Sequence, residues 1–270
     1  MSSGELPREQ DRRSRAFWDD VAGKEAHGQL HGLLERDARV ATYRDRAESR
    51  VLYRRVPEVA RARRILEVGC GGGRWTVRLA GHAERVVATD ISARMVEHAR
   101  ARVAAAGRAN VELRVAPFHE LSFPGEAFDL VYLGSCLHYI DEPHIEEGLC
   151  RLDGMAAPGA LLLSRDSVST LGHAFHRSER YGGDDPAIYR PAAFYEQAMA
   201  RHGWTLEDSW KSYATPLFWS LRKVLPGRAL DALSGVEVWL APLTIRWADL
   251  RRARGPKEHR FFVYRRRATR

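Results

Sequence analysis

From residue 64 onward, short runs of β-branched and apolar residues alternate with longer stretches in which apolar residues return every three or four positions. The runs cover residues 65–68, 86–89, 111–115, 128–133 and 160–163, and residues 75–80, 93–106 and 145–155 between them carry the helical spacing. This alternation, with short connections, predicts a parallel sheet with helices on both faces. A parallel pair needs a crossover, and the crossover helix buries its apolar stripe on the sheet. Further along, Pro191 opens a helix over 192–201 that Gly203 closes, and residues 204–211 read as another strand. In residues 259–265, Phe261, Val263 and Arg265 alternate with Phe262 and Tyr264 as a last strand, bringing the predicted sheet to seven.

The segments outside this pattern set the domain organisation. Around Phe17 and Trp18, and again across 34–59, apolar residues recur at three and four between charges, so amphipathic helices form an N-terminal cap over residues 1–60. Residues 61–166 are the core, and 167–270 complete the sheet within the same single domain. Two stretches there have no strand duty: 167–190, with His, Tyr, Gly and Asp, and 213–257, with Trp, Leu and Pro. Both are expected to cover the carboxyl edge of the sheet, where open α/β sheets bind ligands.

Composition narrows the class. A chain of 270 residues with 44% hydrophobic and 29% charged content can bury a full core, which excludes disordered and fibrous proteins. No apolar run approaches the roughly 18 residues of a membrane span, and the polar start lacks a secretory apolar stretch, so no membrane partner and cytoplasmic residence are expected. Cys70, Cys136 and Cys150 are widely spaced in apolar surroundings, as reduced thiols are. The net charge of +8 is carried mostly by Arg and could suggest an anionic partner such as RNA. An Arg-heavy, Ala-rich composition also follows from GC-rich coding, and aromatics are not interleaved with the basic residues as a stacking surface requires, so nucleic acid is not the favoured partner.

The chemistry is concentrated where the first strand ends, in Ile65-Leu66-Glu67-Val68-Gly69-Cys70-Gly71-Gly72-Gly73. Glycines permit positive φ and close backbone approach to a ligand. The spacing is G-x-G-x-G, with Arg74 where the dinucleotide fingerprint has its third glycine, which argues against a nicotinamide enzyme. Asp90 ends the second strand about 20 residues after the loop, where a carboxylate can hold a ribose diol; its alternative is a helix N-cap, a role for which Ser92 is better suited.

This loop resembles the first motif of class I, Rossmann-like methyltransferases dependent on S-adenosylmethionine. Residues 111–131, 133–140 and 157–166 resemble the later passages of that family in the same order, over about 100 residues. The likeness is greatest to small-molecule enzymes of bacterial natural-product biosynthesis. It implies S-adenosyl-L-methionine as cofactor, with Glu67 ordering the loop and the methionine moiety. Gly69, Cys70, Gly71 and Gly73 would pack against the cofactor, Asp90 would hold the ribose, and Ile91 and Met95 would line the adenine pocket, with Ser135 nearby. Pro117 stands where many members place an Asp for the adenine amino group, so Phe118 would hold adenine by stacking. The resemblance pairs His138 with Asp166 as base and supporting carboxylate; a structural His and a loop cap are the alternatives. Trp18 and Tyr43 would close over the cofactor, or else act as hydrophobic staples of the cap. Tyr139, His173 and Tyr189, with His176 and Tyr181, would touch substrate, or else serve packing.

Absent features sharpen the expectation. There is no Asp/Asn-Pro-Pro-Tyr/Phe tetrapeptide, and Cys136 lacks a preceding Pro, so neither route to base methylation is supported. Gly134-Ser135 ends the fourth strand where metal-dependent catechol-type enzymes need a carboxylate, so no catalytic metal is expected. The expected function is methyl transfer to a small-molecule hydroxyl. Small-molecule N-methylation, RNA methylation and cofactor binding without transfer are the alternatives. Acceptor and oligomeric state are left open.

Overall fold

The computed structural model describes residues 5–24, 38–176, 186–221, 223–251 and 255–267. Helices α1 (Glu5–Lys24) and α2 (Ala38–Arg55) precede the sheet. The alternating core follows as β1 (Arg64–Val68), α3 (Arg74–Leu79), β2 (Arg85–Asp90), α4 (Ala93–Ala105), β3 (Val111–Val115), β4 (Phe128–Gly134), α5 (Glu142–Leu152) and β5 (Ala156–Ser169). The remainder comprises β6 (Phe175–His176), β7 (Ile188–Pro191), α6 (Ala192–Arg201), β8 (Trp204–Lys211), α7 (Leu217–Leu221), α8 (Gly227–Asp249) and β9 (Lys257–Arg266).

The seven expected strands form one sheet in the order β3-β2-β1-β4-β5-β9-β8. The first five run parallel, while β9 lies antiparallel to both β5 and β8. Two short strands not expected from the sequence extend it, β7 beside the end of β5 and β6 beside β7. Strand order reverses at β1 and β4, whose carboxyl ends therefore open into a crevice. Period-two alternation divides the core between two faces. Ile65, Trp210 and Phe261 pack under α2, α3 and α8 with Val51, Trp75 and Ile245. Leu66, Phe262 and Tyr264 pack under α5 and α6 with Leu149 and Tyr195. Among the described residues no helix is long and apolar enough to cross a membrane.

Two expectations change. Strand β5 runs to Ser169 because β9 bonds along it from Leu161 opposite Arg265 to Ser169 opposite Lys257, so Arg165–Ser167 are strand residues despite their polarity. Of the stretch 213–257, Tyr213 and Lys257 at its two ends line the cavity at the sheet's carboxyl edge, whereas its helix does not cover that edge. Leu230, Ala241 and Ile245 of α8 are buried with Tyr43 and Val51 of α2, and the helix completes the core on that face. Of the shorter stretch, Tyr181 lies outside the described residues.

Candidate active site

At the end of β1 the chain turns through Gly69, Gly71 and Gly73, all at positive φ. The amides of Gly69 and Cys70 both donate to the Thr89 carbonyl, at 2.8 and 2.9 Å, tying the loop to β2. A Cβ on Gly69 would lie 2.7 Å from that of Cys136, so glycine there lets the β1 and β4 loops close on each other. Around Gly71 a Cβ would meet nothing within 4 Å; this glycine faces open cavity. Gly73 turns instead toward Ala99, which would be 3.0–3.1 Å from its Cβ, and it serves the crossing of α3 with α4 rather than the cavity wall.

Asp90 is 8% exposed at the end of β2. Its carboxylate accepts from Gly71 N at 2.8 Å and from Ser92 N at 2.9 Å, which fixes its orientation. Ser92 is the N-cap of α4, accepting from Met95 N at 3.1 Å, so the capping role falls to it and not to Asp90. Burial pushes the Asp90 carboxyl up to about 6. Glu67, 1% exposed, lies beside it with Oε2 lacking any hydrogen-bond partner. Burial pushes it up to about 8, against the opposing charge of Arg74. An orphaned carboxylate oxygen beside an open glycine turn fits a bound amino-acid moiety.

A cavity of about 340 Å³, within the size range of small-molecule sites, extends from this loop across the ends of β4, β5 and β9. Ile91, Met95, Pro117, Phe118 and Ser135 line it with Glu67, Cys70 and Asp90. At this end, Asp11, His119 and His144 bring one ligand atom each within 4.8 Å of one another. The two imidazoles are stacked, however, with ring centres 3.6 Å apart and planes 4° from parallel. In-plane lone pairs of parallel rings do not converge on one ion, so the group carries no metal assignment here.

At the other end, β4 leaves the sheet through Ser135, which has φ of 65°. A short 3₁₀ turn, Leu137–Tyr139, then places His138 over the end of β5. His138 Nδ1 lies 2.9 Å from Asp166 Oδ1, and the Ser164 hydroxyl donates to Asp166 Oδ2 at 2.6 Å. All three side chains are buried. A carboxylate on Nδ1 keeps the proton there and leaves the lone pair on Nε2. His138 is flanked by Tyr139 and Tyr189, with ring centres 4.3 and 5.8 Å away, and all three line the cavity.

Helix α1 closes this end. Gln10 Nε2 donates to the carbonyls of Tyr139 and Pro186 at 3.1 and 2.9 Å, and Ser14 Oγ donates to the Tyr139 carbonyl at 2.8 Å. Trp18 lines the cavity and packs edge-on against Tyr139 at 5.1 Å. Phe17, expected from the sequence only as a residue of the cap, stacks on the same ring at 6.1 Å.

Two expected contacts do not form. Tyr43 is buried away from the cavity, edge-on to Phe218, with its hydroxyl donating to the Ala214 carbonyl at 3.2 Å. His173 is exposed and sits 3.1 Å from the Leu171 carbonyl, because β5 extends past the cavity before the turn that carries it.

Sequence reasoning missed a polar wall. Arg165 donates to Glu48 of α2 through Nε and Nη2 at 3.1 and 2.7 Å, and to Ser135 Oγ at 2.7 Å. Glu48 is fully buried. Burial disfavours its charge, but Arg165, Arg74 and Arg44 hold its carboxyl below the ordinary range. Arg44, Ser167, Tyr213, Lys257 and His259 complete the wall. Its one visible signal was Ser164-Arg165-Asp166-Ser167 following three leucines inside a strand.

A family model described as a methyltransferase domain matches residues 65–159. An uncharacterized methyltransferase of Mycobacterium tuberculosis (strain ATCC 25618 / H37Rv) is 34% identical over 98 residues, which are 36% of this chain and 47% of that protein. The chain thus spans about half the length of the curated relatives it matches. Phosphoethanolamine N-methyltransferase 1 of Haemonchus contortus, solved with phosphoethanolamine and S-adenosylhomocysteine, has a TM-score of 0.62 at 14% identity, covering 97% of this chain and 50% of that one. The DhpI complex with S-adenosylhomocysteine has a TM-score of 0.57 at 20% identity, covering 100% of both chains. At such identities the likeness to the solved structures is one of fold. With the sheet order and the glycine turn in agreement, residues 65–159 match a methyltransferase domain on a Rossmann-like α/β fold, similar in fold to methyltransferases solved with S-adenosylhomocysteine.

Proposed function

We propose that this chain transfers a methyl group from S-adenosylmethionine to a hydroxyl of a small-molecule acceptor, with His138 accepting the hydroxyl proton. The bound cofactor supplies a methyl group already activated on a sulfonium. The protein's task is then to align nucleophile and methyl and to remove a proton. In this reading Glu67 holds the cofactor's amino group, Asp90 its ribose, and Ile91, Met95, Pro117 and Phe118 surround the adenine. Tyr139, Tyr189 and Trp18 shape the acceptor end and exclude water.

The observation that carries this reading is the buried Ser164–Asp166–His138 relay beside the cavity. An alcohol is a poor nucleophile until its proton leaves, whereas a neutral amine already has a free lone pair. A dyad that leaves a basic Nε2 and stabilises the imidazolium formed there suits the alcohol. The Haemonchus neighbour is named as an N-methyltransferase, and nitrogen acceptors are the second reading. An acceptor panel of alcohols and amines, read by S-adenosylhomocysteine formation, separates the two. With a hydroxyl acceptor, His138→Ala should lower kcat by about 10²–10⁴-fold and Asp166→Asn by less, while S-adenosylhomocysteine affinity stays within about twofold. Retention of more than about a third of turnover by His138→Ala, with chemistry rate-limiting, would leave alignment as the whole of catalysis.

A further inference from the structure

Helix α8 is apolar on the side that faces solvent as well as on the side that faces the core. Leu230, Ala241 and Ile245 are buried. On the opposite side of the helix, Val236, Trp239, Leu243 and Trp247, with Leu250 at the C-cap, are each 54–82% exposed. Spacings of three and four residues put these five side chains in one stripe along the middle of the outward face, about 21 Å long. The outward face of a solvated helix is ordinarily charged, so a contiguous stripe with two tryptophans and two leucines marks a contact surface.

The charge around the stripe is of one sign. Lys223 before the helix, and Arg228 and Arg246 on it, are exposed and have no hydrogen-bond or ion-pair partner among the described residues. The guanidinium carbon of Arg251 lies 3.3 Å from the centre of the Trp247 ring. The acids of α8 are engaged elsewhere. Asp231 pairs with Arg39 at 2.8 Å and Asp249 with Arg260 at 3.1 Å. Glu237 accepts from the amides of Leu217 and Phe218 at 3.0 and 2.9 Å. Helix α2, which covers the same face of the sheet beside α8, repeats the arrangement. Arg46, Arg50 and Arg54 are exposed, while its acids, Asp45 and Glu48, turn to Arg74, Arg78 and Arg165.

We infer that this face of the protein lies on an anionic lipid bilayer. Trp239, Leu243, Trp247 and Leu250 enter the boundary between headgroups and acyl chains, and Lys223, Arg228, Arg246 and Arg251 meet the lipid phosphates. An indole, with an apolar body and one N–H, suits that depth, and a guanidinium grips phosphate through two hydrogen bonds. A helix that lies flat needs no continuous apolar run, so the absence of a membrane-spanning segment is consistent with such docking. A second copy set face to face would bring these cations together with no unpaired acid of α8 to meet them, whereas anionic lipid supplies the opposite charge.

The test is flotation of the full chain with vesicles of phosphatidylcholine and phosphatidylglycerol in equal parts, and with vesicles of phosphatidylcholine alone. Binding to the anionic vesicles is expected, with a blue shift of tryptophan emission, and binding to the neutral vesicles should be at least about tenfold weaker. The double variant Trp239→Ser, Trp247→Ser should lower the partition constant at least about tenfold. The double variant Arg228→Gln, Arg246→Gln should lower it about fivefold for each cation removed. All four side chains are exposed, so both variants should melt with the wild type, and the arginine pair decides alone if the tryptophan pair does not fold. Sedimentation without lipid should give the wild type and the tryptophan variant the same mass. Failure of the wild type to bind anionic vesicles, equal binding to the two kinds of vesicle, or unaltered binding in a folded double variant overturns the inference. So does a wild-type dimer that the tryptophan variant cannot form, which would assign the face to a second copy of the chain.

Discussion

Glu67 offers a prediction that needs no acceptor. Burial at the end of β1 pushes its carboxyl up to about 8, so in the free protein at neutral pH it is mostly protonated. If Glu67 holds the ammonium of the bound cofactor, as proposed, it does so as the carboxylate. Binding therefore releases a proton, and affinity rises with pH up to about 8 and levels off above it. The ionised fraction of a group titrating near 8 is about 3% at pH 6.5 and about 24% at pH 7.5, so the affinity for S-adenosylhomocysteine should rise about eightfold between them. At pH 7 about nine-tenths of a proton should leave Glu67 per ligand bound. Asp90, raised only to about 6, is already ionised there and steepens the loss of affinity only below that pH. Calorimetric titration across this range, repeated in buffers of different ionisation enthalpy, measures both the slope and the proton count. In Glu67→Gln the slope above pH 6.5 should vanish and binding at pH 8 should weaken. A flat wild-type profile between pH 6.5 and 8, or an unchanged slope in Glu67→Gln, would refute the reasoning.

Glu48→Gln leaves Arg165 buried without its anion and should destabilise the fold by about 3–5 kcal/mol, read by urea denaturation. Because the carboxyl is held below its ordinary range in the folded protein, the contribution of Glu48 should be present above that range and fade as pH falls through the depressed folded value. Gly69→Ala drives a Cβ to 2.7 Å from Cys136 at a φ of 72° and should lower both the melting temperature and S-adenosylhomocysteine affinity. Gly71→Ala, with no neighbour within 4 Å, should melt closer to wild type yet bind weakly, because its methyl enters the cavity. Parallel melts and titrations check the pair.

The alternating core was legible because its strands are apolar runs bounded by glycine and helical spacing. Those strands and the loop at 69–73 marked one end of the cavity, which Glu67, Cys70, Gly71 and Asp90 line. The acceptor end was not legible, for a physical reason. Residues that face a polar cavity from within a strand break the apolar pattern that marks the strand, so the apolar run stopped at Leu163 and the stretch from Ser167 was given no strand duty, although β5 runs to Ser169. Glu48 and Arg44 looked like solvated residues of an amphipathic helix, since spacing reports which face is polar but not what that face meets. The same ambiguity misplaced Tyr43, whose aromatic ring serves the contact between α2 and α7. Helix α8 was taken for a cover because its Trp and Leu content exceeds what a solvated loop needs, a surplus explained in part by its buried seam against α2.

The central claim is that the turn at 69–73, with Glu67 and Asp90, holds S-adenosylmethionine. Side-by-side calorimetric titration of the chain with S-adenosylmethionine and with NAD tests it most directly, with Asp90→Ala as the companion. One equivalent of S-adenosylmethionine is expected to bind, with no comparable binding of NAD and a loss of about 1.5–3 kcal/mol in Asp90→Ala. Equal affinity for NAD, or unaltered S-adenosylmethionine binding in Asp90→Ala, would contradict it.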